Sequence, residues 1–84
     1  FMLKKLFAPK EKSKSIVITF HTTYDTMNLQ DHFLQASIPG RLIPVPRSLS
    51  ASCGIAWQGR LEDEDLIKAQ IAKDHLEIDG LYIL

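Results

Sequence analysis

Apolar positions along this chain follow two rhythms. Ser15-Ile16-Val17-Ile18-Thr19-Phe20 is β-branched and aromatic and reads as a buried strand, with Ile16, Ile18 and Phe20 on one face. Thr22 with Asp25 three residues on is a helix-start signal. Tyr24, Met27, Phe33 and Leu34 then supply an apolar stripe at helical spacing to about Ser37, and Pro39-Gly40 ends it. Arg41-Leu42-Ile43-Pro44-Val45 is a second strand, which its prolines confine to a sheet edge. Gly54-Ile55-Ala56-Trp57-Gln58 is a third, with Ile55 and Trp57 on one face. Glu62-Asp63-Glu64-Asp65 opens a second helix, where acids complement the positive end of the dipole. Leu66, Ile67, Ala69 and Ile71 turn inward, and Lys73 and His75 stand near its negative end. Leu76 to Leu84 is the last strand, in which Asp79-Gly80 is either a hairpin turn or a bulge.

The order β-α-β-β-α-β is the split, ferredoxin-like α+β pattern. Right-handed crossovers make the first and second strands parallel, and likewise the third and fourth. The expected product is a four-stranded antiparallel sheet in the order 4-1-3-2 with both helices on one face. Residues 15–84 form this domain. Residues 1–14 are a basic tail or short helix, in which Phe1 ahead of Met2 reads as an expression remnant.

Composition narrows the function. Eighty-four residues make one small domain with a modest core, for which self-association as a homodimer would add stability. Formal net charge is zero, which argues against nucleic-acid binding. The charge is uneven: residues 1–14 carry five lysines against one glutamate, and the remainder is acidic. The apolar run from Met2 to Ala8 is too short and interrupted for a secretory core. It reads as an amphipathic turn that packs on the domain or a neighbour, without stable membrane insertion. A single cysteine excludes an internal disulfide and a cysteine-only metal site, and a free thiol suits a reducing cytoplasm.

That cysteine, Cys53, sits in the one long connection, about seven residues between two strands at a hairpin position. The topology brings together the end of the first strand, the start of the first helix, the end of the second strand and the start of the third. Cys53 is thereby expected near a helix N-terminus at Thr22, near Arg47, and near His21 and His75. Each of these favours the thiolate. Gly54 allows close approach to the sulfur, and the Ser50-Ala51-Ser52 lead-in is small. A buried structural cysteine is the competing reading.

Ile43-Pro44-Val45-Pro46-Arg47, Leu49-Ser50 and Ser52-Cys53-Gly54-Ile55-Ala56 resemble the small bacterial family described as putative Se/S carrier protein-like. Its pattern is a Pro-x-Pro-Arg strand end, a serine-rich loop and a Cys-Gly-apolar-Ala strand start. The ending Leu76-Glu77-Ile78-Asp79-Gly80-Leu81-Tyr82 and the Phe20-His21-Thr22-Thr23 junction are similar as well. The resemblance covers about residues 15–84. It implies a carrier rather than an enzyme, holding sulfur or selenium on Cys53 as a persulfide or selenopersulfide. Arg47, Ser52, Gly54, His21 and Thr22 would support the thiol, with unidentified donor and acceptor proteins as partners and no cofactor or metal. Small sulfur carriers set their cysteine in a Cys-Pro-x-Pro context, which this chain lacks.

Other classes fit less. A non-catalytic interaction or dimerisation module with a structural cysteine is the alternative, supported if Trp57 or Tyr82 were exposed on the sheet. A metal chaperone would call on His21, Cys53 and His75. The phosphate-cradle loop of acyl-phosphate enzymes is missing, and RNA binding would need basic strands beside Phe20 and Trp57. No base at useful spacing supports nucleophilic hydrolysis.

Overall fold

The computed structural model of the protein describes residues 14–49 and 54–84. Its elements are β1 (Ser15–Thr19), α1 (Thr23–Gln35), β2 (Gly40–Pro44), β3 (Ile55–Arg60), a 3-10 turn (Leu61–Asp63), α2 (Glu64–Lys73) and β4 (Gly80–Ile83). The four strands form one sheet in the order β2-β3-β1-β4. Every ladder is antiparallel, so β1 runs parallel to β2 and β3 to β4, as the crossovers require. The register sets Ile18 beside both Trp57 and Leu81, and Trp57 beside Leu42. This is the expected ferredoxin-like α+β arrangement, with β2 at one edge.

One core joins both helices to the same sheet face. Ile16, Ile18, Phe20 and Trp57 pack with Leu29 and Phe33 of α1 and Ile67 of α2. Burying side chains of this size removes about 1.5–3 kcal/mol of exposure cost each, which is the main term holding so small a domain together. The Trp57 indole meets the Phe33 ring edge-on, with centroids 4.8 Å apart. Trp57 is thus a core residue and not an exposed sheet aromatic. On the opposite face Val17, Thr19 and Ala56 are also fully buried, so the centre of that face is no open surface.

The helix stripe needs correction. Tyr24, Met27 and Leu34 point to solvent at 75%, 54% and 64% exposure. The buried line of α1 is Thr26, Leu29 and Phe33. Thr26 can stand inside because its hydroxyl donates to the Thr22 carbonyl at 3.2 Å. In α2 only Ile67 is fully buried, Ile71 is half-buried, and Leu66 and Ala69 face outward. The acidic run splits between the 3-10 turn and α2. Asp63 and Glu62 pair with Arg60, and Glu64 pairs with Lys68, as in a solvated helix start.

Both helices end in the same way. Ser37 (φ 62°) and His75 (φ 51°) adopt the left-handed conformation just past α1 and α2. Ile38 N–H donates to the Phe33 carbonyl and Ser37 N–H to that of Leu34; Leu76 N–H donates to Ile71 and His75 N–H to Ala72. These paired bonds are Schellman closures, here made without glycine. The last strand is shorter than expected, because Leu76 and Ile78 belong to the connection that follows α2. Asp79-Gly80 makes no hairpin. Gly80 stands opposite Thr19, while Asp79 N–H donates to the Thr19 carbonyl at 2.7 Å. Two residues thus face one, as in a bulge where β4 begins.

Candidate functional site

The expected site end of the sheet is fixed by register. Thr19 pairs with Ala56 on one side and with Gly80 on the other, and Pro44 pairs with Ile55. One step beyond, Val45 N–H donates to the Gly54 carbonyl at 3.1 Å and closes the base of the long connection. Pro46 and Leu49 close a turn through a 3.0 Å bond, with Arg47 exposed inside it. Gly54 is exposed at φ 76°, a left-handed conformation that glycine adopts without strain. Nothing among the described residues lies within 4 Å of where its Cβ would be, so its conformation accounts for this glycine. Cys53 and Ser52 lie outside the described residues.

The N-terminus of α1 stands at the same end, just past Thr19. Thr22 is its cap: extended in backbone, it accepts from Asp25 N–H through its hydroxyl at 3.1 Å. Thr22 therefore shapes the helix start, and its side-chain oxygen is already engaged. Asp25 lies in the first turn and puts a carboxylate where the helix is electropositive. His21 is exposed and lies 3.6 Å from Asp79, whose other oxygen receives the buried Thr19 hydroxyl at 3.4 Å. This Thr19–Asp79–His21 group was not anticipated. Asp79 was visible in sequence only as part of an Asp-Gly turn signal, and its meeting with Thr19 depends on the β1–β4 register.

Of the predicted supporting residues, His21, Thr22 and Gly54 are brought to one end, with Arg47 in the adjoining turn. His75 closes α2 through its backbone, in the left-handed conformation and with its N–H donated to the Ala72 carbonyl. His32 is half-buried and engages Asp74 at 2.8 Å across the two helices. Gln70 donates to the same Asp74 oxygen at 2.6 Å. That hydrogen bond, then those of His32, hold the Asp74 carboxyl below the ordinary carboxylate range, against some opposing desolvation.

A cavity of about 840 Å³ lies at the other end of the sheet. Lys14, Gly40, Arg41, Gly59, Arg60 and Leu61 are among its walls. It sits far from Gly54 by register, and its arginines are engaged locally: Arg60 with Asp63, and Arg41 with Gln58 at 3.4 Å. It therefore stands apart from the sheet end that carries Gly54. No group of three His, Cys, Asp or Glu residues that could hold a metal occurs among the described residues. No helix among them is long and apolar enough to cross a membrane.

Comparison with known proteins gives one family. The model of the family described as "Putative Se/S carrier protein-like" matches residues 15–83. No curated protein and no solved structure matches the chain.

Proposed function

The chain belongs to the putative Se/S carrier protein-like family, and from that premise we propose that it carries sulfur or selenium on the Cys53 thiol. The observation that carries this reading is the setting of Gly54. It is bonded to the cysteine, exposed, left-handed in backbone, and located at the sheet end where α1 begins. That setting supports the reading that the adjoining residue serves another protein.

The chemistry needs little apparatus. The Cys53 thiolate attacks the terminal sulfur of a donor persulfide. A new S–S bond forms on Cys53, the donor's S–S bond breaks, and the donor leaves as a thiolate. An acceptor nucleophile then attacks the terminal sulfur and Cys53 leaves as thiolate, so nothing is oxidised or reduced overall. Selenium follows the same course as a selenopersulfide. Exchange of this kind is fastest when the attacking thiol has a pKa near ambient pH. Arg47 and the first-turn peptide groups of α1 are the cations and dipoles that would lower it. His21 and Ser52 complete the setting, and the donor and acceptor are proteins of a reducing cytoplasm. The chain acts as an accessory carrier and needs no cofactor.

The test is the pH dependence of Cys53 alkylation, followed by intact mass after incubation with a low-molecular-weight persulfide donor. The expected result is a thiol pKa below the free value of about 8.5. A mass gain of one sulfur is expected too, absent in Cys53→Ser and reversed by an acceptor thiol. An unreactive thiol with no adduct would make Cys53 structural and leave an interaction module as the function.

A further inference from the structure

The two edges of the sheet are treated differently by the sequence. The outer edge is β2, which carries Arg41 and Pro44 and is flanked by Pro39 and Pro46. Proline removes ladder donors and charge deters pairing, so this edge is blocked against further strands. The β4 edge has no such device. From Gly80 to Leu84 there is no charge and no proline. Tyr82, Ile83 and Leu84 are exposed at 37%, 44% and 39%, although all three lie on or beside a sheet strand. Among the described residues no strand lies beyond β4.

The free backbone groups of that edge can be identified. Ser15 and Leu84 exchange both hydrogen bonds, at 2.7 and 2.9 Å. Antiparallel ladders alternate, so Tyr82 also points its N–H and C=O toward β1, and those of Leu81 and Ile83 point away. The outward face of β4 is thus a donor–acceptor pair at Leu81, a gap at Tyr82, and a second pair at Ile83. This pattern is symmetric about Tyr82.

We propose that β4 pairs antiparallel with β4 of a second copy of this chain, about a two-fold axis through Tyr82, to make a continuous eight-stranded sheet. Leu81 of each copy then exchanges both hydrogen bonds with Ile83 of the other. The two Tyr82 residues face each other across the axis, and Gly80 meets Leu84. A second copy is the occupant that fits, because an isologous contact needs a self-complementary surface and this edge is one. The meeting strands bring no like charges together, and the whole chain is neutral. A stable interface buries about 800 Å² per partner, roughly a sixth of the 5035 Å² of this surface. A strand edge this short covers less, so the dimer is concentration-dependent and exchanges readily. The proposal does not depend on what Cys53 carries.

Sedimentation of the full chain over a wide concentration series tests it, with expected masses rising from one to two chains. In Ile83→Pro the lost N–H is an outward one, so the β1–β4 ladder stays intact and the variant should remain folded by circular dichroism but monomeric throughout. A second arm uses Tyr82→Cys in a Cys53→Ser background. Residues facing each other at a non-hydrogen-bonded position have Cα atoms about 4.5 Å apart, within disulfide range. Mild oxidation should therefore give a covalent dimer at Tyr82→Cys and not at Tyr24→Cys, on the exposed side of α1. A wild-type chain that stays monomeric would overturn the proposal. So would folded Ile83→Pro that dimerises like wild type, or equal cross-linking at positions 24 and 82. If Ile83→Pro fails to fold, the cross-linking comparison decides alone.

Discussion

Replacing Gly59 with alanine tests how the core is fitted around Trp57. Gly59 on β3 pairs with Gly40 on β2, and both present their missing side chains to the face that Trp57 occupies. A Cβ at position 59 would overlap Cη2 of the indole, lie 2.5 Å from Cζ3 and touch Cδ1 of Ile67 at 3.4 Å. The backbone on both sides is tied into ladders, so the indole has to move. Overpacking of this kind costs about 1–3 kcal/mol. Moving the indole also strains its edge contact with Phe33, and such aromatic pairs contribute about 0.5–1.5 kcal/mol. Loss of glycine's unfolded-state freedom returns about 0.5–1 kcal/mol. The net loss for Gly59→Ala is about 2–3 kcal/mol, against a total stability of roughly 4–13 kcal/mol for a chain this long. At about 6 °C per kcal/mol, the midpoint of thermal unfolding should fall by about 12–18 °C. Urea unfolding followed by Trp57 fluorescence gives the equilibrium value. Trp57→Phe should relieve the overlap, so the double variant should lose less than the sum of the two singles, measured by circular dichroism. A Gly59→Ala loss under about 0.5 kcal/mol, or strict additivity with Trp57→Phe, would refute the reasoning.

Two further outcomes follow from the helix ends. His75→Gly should stabilise the fold by about 0.5–1 kcal/mol, because the left-handed conformation costs a residue with a Cβ more than it costs glycine; a lower urea midpoint would show that the imidazole itself has a structural partner. The Asp74 carboxyl is held below its ordinary range in the folded state, mainly by Gln70 and then by His32, so its stabilising effect is full above the unfolded pKa of about 3.9 and is lost as pH falls through the folded value. The stability gap between wild type and Asp74→Asn should narrow as pH is lowered below about 4, read from urea midpoints, and a constant gap would contradict it.

The parts of the fold legible in sequence were those carried by local patterning with one strong solution. The β-branched run at Ile16–Ile18, the apolar residues Ile55 to Trp57, the Thr22 cap and the proline-bearing strand each pointed to a single element. With the handedness of crossovers, they gave the strand order. The faces of the helices were harder. Tyr24, Met27 and Leu34 lie at helical spacing and invited a buried stripe, but the line that is buried includes Thr26. A polar label hid that line, and only the bond from the Thr26 hydroxyl to Thr22 explains why it can be inside. The helix ends were hidden for a similar reason. Left-handed caps are expected at glycine, and here serine and histidine take the position. His75 therefore looked like a functional histidine when its position is set by the turn. The Thr19–Asp79–His21 group joins residues about sixty positions apart and depends on the β1–β4 register, which no local spacing reveals.

The proposed transfer role asks less of the site end of the domain than turnover of a small molecule would. An enzyme acting on a free substrate gains from a concave pocket that excludes water and orients the reacting atoms. Here the cavity is at the far end of the sheet, around the Gly40–Gly59 pair, at the opposite end of the β2–β3 ladder from Pro44 and Ile55. What the near end offers is an exposed glycine, an exposed arginine and a capped helix start, set on a β2–β3 base that the Val45–Gly54 bond holds closed. The charges at that end are mixed: Asp25 and Asp79 oppose an anion, whereas Arg47 and the positive end of the α1 dipole favour it. Docking changes that balance. A partner that covers the end lowers the local dielectric and strengthens each of these interactions. Under the proposed role, the reactivity of the thiol would be set in the complex as much as in the free chain. Selectivity for donor and acceptor would come from the surface around Gly54, and the frame beneath it has only to stay rigid.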